Sequence, residues 1–137
     1  MKICVTAQGP TLDAPIDPRF GRCANFVFVD SDTMKFEAIS NPGAMASGGA
    51  GIQASQFIVD RGASVVLTGN VGPNAYNALN AGGVRVYVGI SGSVSNAINQ
   101  FKAGSLQAVS SPTAPAHIGM GGGRGRGRGQ GRGQGRW

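Results

Sequence analysis

The chain has one histidine, one tryptophan, two cysteines and six acidic residues among 137. Each scarcity removes a class of chemistry. His117 lies in Pro/Ala-rich sequence, with no Ser-His-Asp arrangement around it and no second histidine at metal-ligand spacing. Cys4 and Cys23 are too few for a disulfide framework and form no CxxC, so free thiols in a reducing cytoplasm are expected. The acids fall mostly in turns, and Asp13, Asp17, Asp30 and Asp32 do not occupy strand positions that would converge on two metals. No glycine-rich turn carries a Walker A lysine, and no GxGxxG follows the first strand, which argues against a nucleotide. No apolar run reaches membrane-spanning length, and no basic segment leads into an apolar leader. The expectation is a soluble cytoplasmic protein, without membrane contact, that holds something and is not an enzyme.

Glycine is abundant, with 24 residues, and arginine is unevenly placed. Of the twelve basic residues, Arg124, Arg126, Arg128, Arg132 and Arg136 lie in a Gly/Arg/Gln tail closed by Trp137. All six acids precede that tail, so the net charge of +6 belongs mainly to it. Alternating Gly-Arg cannot bury a core. The chain therefore divides into an α/β domain over residues 1–112 and a disordered basic tail over 113–137. Such a tail suits a polyanionic cluster or an acidic partner. It also suits nucleic acid, bound through phosphates with little sequence preference.

Residues 3–7 read as a short apolar strand, broken at Gln8-Gly9-Pro10. Residues 25–30 and 35–39 read as an antiparallel hairpin about a turn at 31–34. Ile52, Ala54, Phe57 and Ile58 have helical spacing ahead of a Gly62 cap. A strand at 65–68 precedes a helix with Pro73 at its first position. A strand at 84–88 precedes a helix capped by Ser93, and residues 106–109 suggest a last extended piece. This order predicts an α/β fold, with a mixed five-stranded sheet, an antiparallel hairpin and three helices.

In open α/β sheets, ligands sit beyond the carboxyl ends of the parallel strands. Three Gly-rich segments follow such ends, at 8–10, 69–74 and 89–93. Helix N-termini offer free N–H groups and partial positive charge, and glycine lets an anion approach the backbone. The densest chemistry is Asp17-Pro18-Arg19-Phe20-Gly21-Arg22-Cys23, with two cations, a thiol, turn residues and an aromatic. The predicted site places Arg19, Phe20, Gly21, Arg22 and Cys23 on one wall. Gln8, Gly9, Gly48, Gly49, Gly51, Asn70, Gly72 and Asn74 stand opposite, with Cys23 as the candidate metal ligand. Each also has a plainer reading. Arg19 and Arg22 can be a solvated turn paired to Asp13 or Asp17, Phe20 a core anchor, and Cys23 a small buried residue. Gly48 to Gly51 can be a tight helix entry, and Asn70 and Asn74 caps.

The joint pattern of residues 17–23, Ser47-Gly48-Gly49-Ala50-Gly51, Gly69-Asn70-Val71-Gly72-Pro73-Asn74-Ala75 and Gly82-Gly83-Val84-Arg85-Val86-Tyr87 resembles the dinitrogenase iron-molybdenum cofactor biosynthesis family. The resemblance spans residues 1–111. It implies a ribonuclease-H-like topology and a protein that binds or carries a metal-sulfur cluster. The cluster would be an iron-sulfide or a molybdenum-containing sulfide, exchanged with a donor or acceptor protein, and the carrier could be a homo-oligomer. The nitrogenase cofactor carriers of that family have histidine where this chain has Arg19. A guanidinium pairs with anions and does not ligate metal, so the resemblance favours an anionic inorganic cluster over the nitrogenase cofactor itself.

Overall fold

The computed structural model describes residues 1–42, 49–106 and 108. The strands are β1 (Lys2–Ala7), β2 (Asn25–Asp30), β3 (Phe36–Ser40), β4 (Val65–Leu67) and β5 (Arg85–Tyr87). The helices are α1 (Ala50–Asp60), α2 (Pro73–Ala81) and α3 (Val94–Lys102). The sheet runs β3-β2-β1-β4-β5. β2 is antiparallel to both β1 and β3, while β1, β4 and β5 are mutually parallel. This is the mixed five-stranded α/β sheet with three helices that the sequence predicts.

β1 is central, and its pleat divides the core. Ile3, Val5 and Ala7 face one side, with Val27, Val29, Val65, Leu67 and the Val94, Ala97 and Ile98 stripe of α3. Cys4 faces the other, with Phe26, Phe28, Val66 and the buried faces of α1 and α2. A period-two strand buried on both faces explains why the β1 run is almost continuously apolar. α1 and α2 press closely together: a Cβ at Gly51 would lie 3.2 Å from Ala75 Cβ. Ser55 Oγ donates to Gly51 O at 2.8 Å and reaches Ala75 O at 3.2 Å, which fastens the pair without bulk.

The end signals match the sequence reading. Gly62 follows α1 with φ +78°, the left-handed conformation that suits glycine. Pro73 opens α2. Ser93 caps α3, where Asn96 N donates to its Oγ at 3.2 Å. Ala108 forms an antiparallel bridge with Tyr87, while residues 107 and 109 of the predicted last extended piece lie outside the described residues. β3 lies at the sheet's edge and is exposed or half-buried along its length.

Candidate functional site

Parallel β1, β4 and β5 aim their carboxyl ends at one edge of the sheet. The chain leaving β4 enters α2 on one face, and the chain leaving β5 enters α3 on the other. At first the two loops stay paired, with Gly89 N donating to Gly69 O at 2.9 Å and Ile90 N to Thr68 O at 3.2 Å. They then part, and neighbouring connections that part to opposite faces open a crevice.

A third segment crosses this edge. Leu12, Ala14 and Ile16 pack on the α3 side, whereas Phe20 and Cys23 pack on the α1/α2 side. Asp17-Pro18-Arg19 is the crossing point. Asp17 N donates to Thr6 O at 2.9 Å, and Thr6 Oγ1 donates to Asp17 O at 2.7 Å. Asn70 N donates to Pro18 O at 3.0 Å, and Arg19 bridges in parallel to Asn70. Gly69 makes this approach possible, because any Cβ there would fall 2.5 Å from Pro18 Cα.

Asp17 is 1% exposed. Its Oδ1 accepts from Arg19 Nε at 3.0 Å and Arg19 N at 3.1 Å. Its Oδ2 accepts from Arg19 Nη2 at 3.0 Å and Ala24 N at 3.3 Å. Burial alone would raise the Asp17 pKa. The Arg19 guanidinium and the Arg19 and Ala24 amides outweigh it and hold the carboxyl below its ordinary value. The Arg19 side chain remains 66% exposed. Arg19 is thus a fixed, half-neutralised cation with an open outer side. The ion pair that the sequence allows with Asp13 or Asp17 is made with Asp17.

The structure gathers Arg19, Gly21, Gly49, Gly51, Asn70, Gly72 and Asn74 along this edge on the α1/α2 side. Gly21 packs on the start of α1, and a Cβ there would lie 2.8 Å from Gly51 N. Gly49 is the N-cap of α1, and Gly72 is the N-cap of α2. Neither helix has a side-chain cap. Asn74 is exposed in the first turn of α2, and Arg22 is exposed beside Gly21. α3 is different. Its Val94 and Ser95 amides donate to Ala14 O at 3.0 Å and Leu12 O at 2.9 Å, and Ser93 Oγ takes Asn96 N. Its N-terminus is already filled, so the 89–93 loop does not offer the free amides that its glycines suggest.

Several predicted wall residues stand elsewhere. Phe20 is 3% exposed and packs into the core near Phe26, with tilted rings 6.5 Å apart, so it anchors the turn from inside. Gln8 and Gly9 serve the arch on the α3 side: Gln8 Nε2 donates to Ile16 O at 3.2 Å, and Gly9 lies against Ala14. Gly48 lies outside the described residues, as do His117 and the tail. A separate open groove of about 510 Å³ lies between the arch and the 90–93 loop, lined by Asp13, Ile16, Pro18, Ile90 and Ser93 among others. Among the described residues, the one charged residue lining it is Asp13, which does not favour an anion.

Cys23 is buried, not mural, at 0% exposure. Burial pushes its thiol up to about 12, and the Asp17 carboxylate adds to the rise. Cys4 is also buried and is pushed well above its ordinary value, by burial first and by Cys23 second. The thiolate is the ligand and nucleophile, and neither thiol offers one in this state. We expect both thiols of the native protein to react with a disulfide reagent at pH 8 more than ~10³-fold more slowly than free cysteine, and both to react promptly in urea. Native labelling of Cys23 at the rate of an exposed thiol would contradict this placement.

Thr6, Thr68 and Asn41 were not singled out from the sequence. Asn41 Nδ2 donates to Gly21 O and Cys23 O, both at 3.0 Å, and so fixes the far end of the turn. Asn41 stands in Asn-Pro-Gly and reads only as a strand breaker. Thr6 and Thr68 did carry a signal: each is a hydroxyl at the carboxyl end of an otherwise apolar strand run.

The dinitrogenase iron-molybdenum cofactor family matches residues 1–104. The chain belongs to this family. Among structures similar to this family member, the apo form of the orange protein from Desulfovibrio gigas is 43% identical, with a TM-score of 0.81 over 82% of this chain and 96% of that one. A NifB-like protein from Thermotoga is 31% identical, with a TM-score of 0.72 over 82% and 97% of the two chains. A dinitrogenase-type protein from Methanocaldococcus jannaschii is 20% identical at a TM-score of 0.61, a likeness of fold alone. An uncharacterized protein of the same archaeon is 28% identical over 95 residues, 67% of this chain and 80% of its own length. Family and neighbours together point to a cluster-binding or cofactor-related role. Among the described residues no helix is long and apolar enough to cross a membrane.

Proposed function

We propose that this chain binds a preformed anionic metal-sulfur cluster as cargo, to carry or store it, and does no catalysis on it. The observation that carries this reading is the fixed Arg19 guanidinium, placed along one sheet edge with two helix N-termini that have no side-chain caps. Guanidinium and amide donors suit sulfide and thiometallate anions. The donor set also fits a cluster that brings its own ligands, since no group of three or more His, Cys, Asp or Glu that could hold a metal ion occurs among the described residues. The strand order and the antiparallel β2 support the ribonuclease-H-like description of the fold. We take the cytoplasm as the compartment, in keeping with two free cysteines.

Anaerobic purification with metal and sulfide analysis tests the reading. The protein should be coloured as isolated, or become so on reconstitution with iron or molybdenum plus sulfide. A colourless, metal-free protein that cannot be reconstituted would overturn it. Cys23→Ala should still load, because its thiol lies in the core. Loss of loading with the fold intact would make that thiol a ligand.

A second substitution separates stability from loading. Gly72 has φ −80° and ψ 172°, the extended N-cap geometry, and open space where a Cβ would go. Gly72→Asp should stabilise α2 by roughly a few tenths of a kcal/mol through capping. Its carboxylate should also repel the anion and reduce loading. Equal loading of Gly72→Asp and wild type would move the site away from α2.

A further inference from the structure

Two buried hydroxyls lie directly beneath the crossing segment. Thr6 is the penultimate residue of β1, and Thr68 immediately follows β4, its parallel neighbour. Both are 0% exposed. Their Oγ1 atoms are 2.8 Å apart, and Thr6 Oγ1 is 2.7 Å from Asp17 O. Asp17 N returns a bond of 2.9 Å to Thr6 O, so one residue holds both backbone polar groups of Asp17. Thr68 is itself fixed on the other side: its N donates to Tyr87 O at 3.0 Å, and its O accepts from Ile90 N at 3.2 Å.

We infer that Thr6 and Thr68 are positioning residues that set the direction of Arg19 through Asp17. The inference rests on the reading of this edge as an anion site. A buried strand position is filled most cheaply by an apolar side chain, and a buried hydroxyl is tolerated only when bonded. Valine would fit both positions by shape. Thr6 Oγ1 is the donor toward both Asp17 O and Thr68 Oγ1, and its one proton is shared between them. These contacts join Asp17 through Thr6 and Thr68 to the backbone of β5, where Thr68 N donates to Tyr87 O. Threonine is stiff at χ1, which limits slack in the chain. Asp17 in turn grips Arg19 at Nε and Nη2, both at 3.0 Å. The hydroxyl pair therefore bears on the one residue whose carboxylate aims the exposed guanidinium.

Thr6→Val and Thr68→Val in the full chain test this, with Thr6→Ser as the conservative control. Two readouts are needed, both well below the unfolding temperature. The first is proton exchange at Arg19 Nε–H by NMR, which reports the grip of Asp17 without any ligand. Exchange should quicken by about tenfold in Thr6→Val and stay within twofold of wild type in Thr6→Ser. The second is the affinity for tetrathiomolybdate as an anionic probe. It should weaken by roughly five- to tenfold in Thr6→Val, and Thr6→Val should add nothing in an Arg19→Ala background. Unchanged Arg19 Nε–H exchange in Thr6→Val overturns the positioning role, whatever the probe does. So does a loss of affinity that persists equally when Arg19 is absent. Altered exchange, with no probe binding by wild type, keeps the positioning role and removes the anion reading on which its purpose rests.

Discussion

Gly69→Ala is expected to destabilise the fold by about 2–4 kcal/mol, through overpacking against backbone that cannot move aside. The new Cβ would sit 2.5 Å from Pro18 Cα, 2.7 Å from Pro18 Cβ and 2.9 Å from Pro18 O. Those atoms are not the end of a flexible side chain. Pro18 has a fixed φ, and its carbonyl accepts Asn70 N at 3.0 Å. On its other side Asp17 is held to Thr6 by two bonds. Relief would have to come from lifting Pro18 off the end of β4, which breaks the Asn70 bond and the Arg19 to Asn70 bridge. Loading of a cluster should therefore fall along with stability. Gly51→Ala is a graded comparison, since the nearest atom to its Cβ would be Ala75 Cβ, at 3.2 Å. Urea unfolding followed by circular dichroism measures both. A Gly69→Ala midpoint equal to wild type would mean that Pro18 does not cross the end of β4 at this distance.

The elements were legible because their signals are local. Gly62, Pro73 and Ser93 mark helix ends by their own local chemistry, and the nearly continuous apolar run of β1 shows a strand buried on both faces. The site was legible in part. Arg19, Gly21, Gly51 and Asn70 carry turn and charge signals in their own neighbourhoods, and the edge rule for parallel strands places them. What was not legible depends on which face the chain takes. Cys23 and Phe20 belong to the core because the segment crosses the edge at Asp17-Pro18 and descends on the α1/α2 side, a choice made by Thr6 and Gly69 far away in sequence. The 89–93 loop looked equivalent to the 69–74 loop, with glycines ahead of a helix. Its amides are taken by Leu12 and Ala14, about eighty residues earlier, and no local pattern announces that.

The Asp17 to Arg19 pair should make stability fall in acid, with a sign fixed by its surroundings. The folded carboxyl titrates below its ordinary value, because the Arg19 and Ala24 donors outweigh burial. Its contribution is therefore complete above the unfolded pKa of about 4 and is lost as pH falls through the lower folded value. Asp17→Asn should cost about 2–3 kcal/mol at pH 7, because a charge-accepting oxygen is lost and an amide is set against buried donors. The difference from wild type should shrink as pH drops below about 4, since the wild-type carboxyl is then being neutralised too. Arg19→Ala should also destabilise at pH 7, because it leaves a carboxylate that is 1% exposed without its guanidinium and with two backbone donors among the described residues. The double variant should be less destabilised than the sum of the two, since the second substitution removes a group already without its partner. Urea midpoints from pH 3 to 7 for the four proteins close the cycle. A pH-independent cost for Asp17→Asn, or strict additivity in the double variant, would mean that the pair does not hold the crossing in solution. Arg19 would then be a loose surface cation, and the edge would lose the fixed charge on which its affinity for an anion depends.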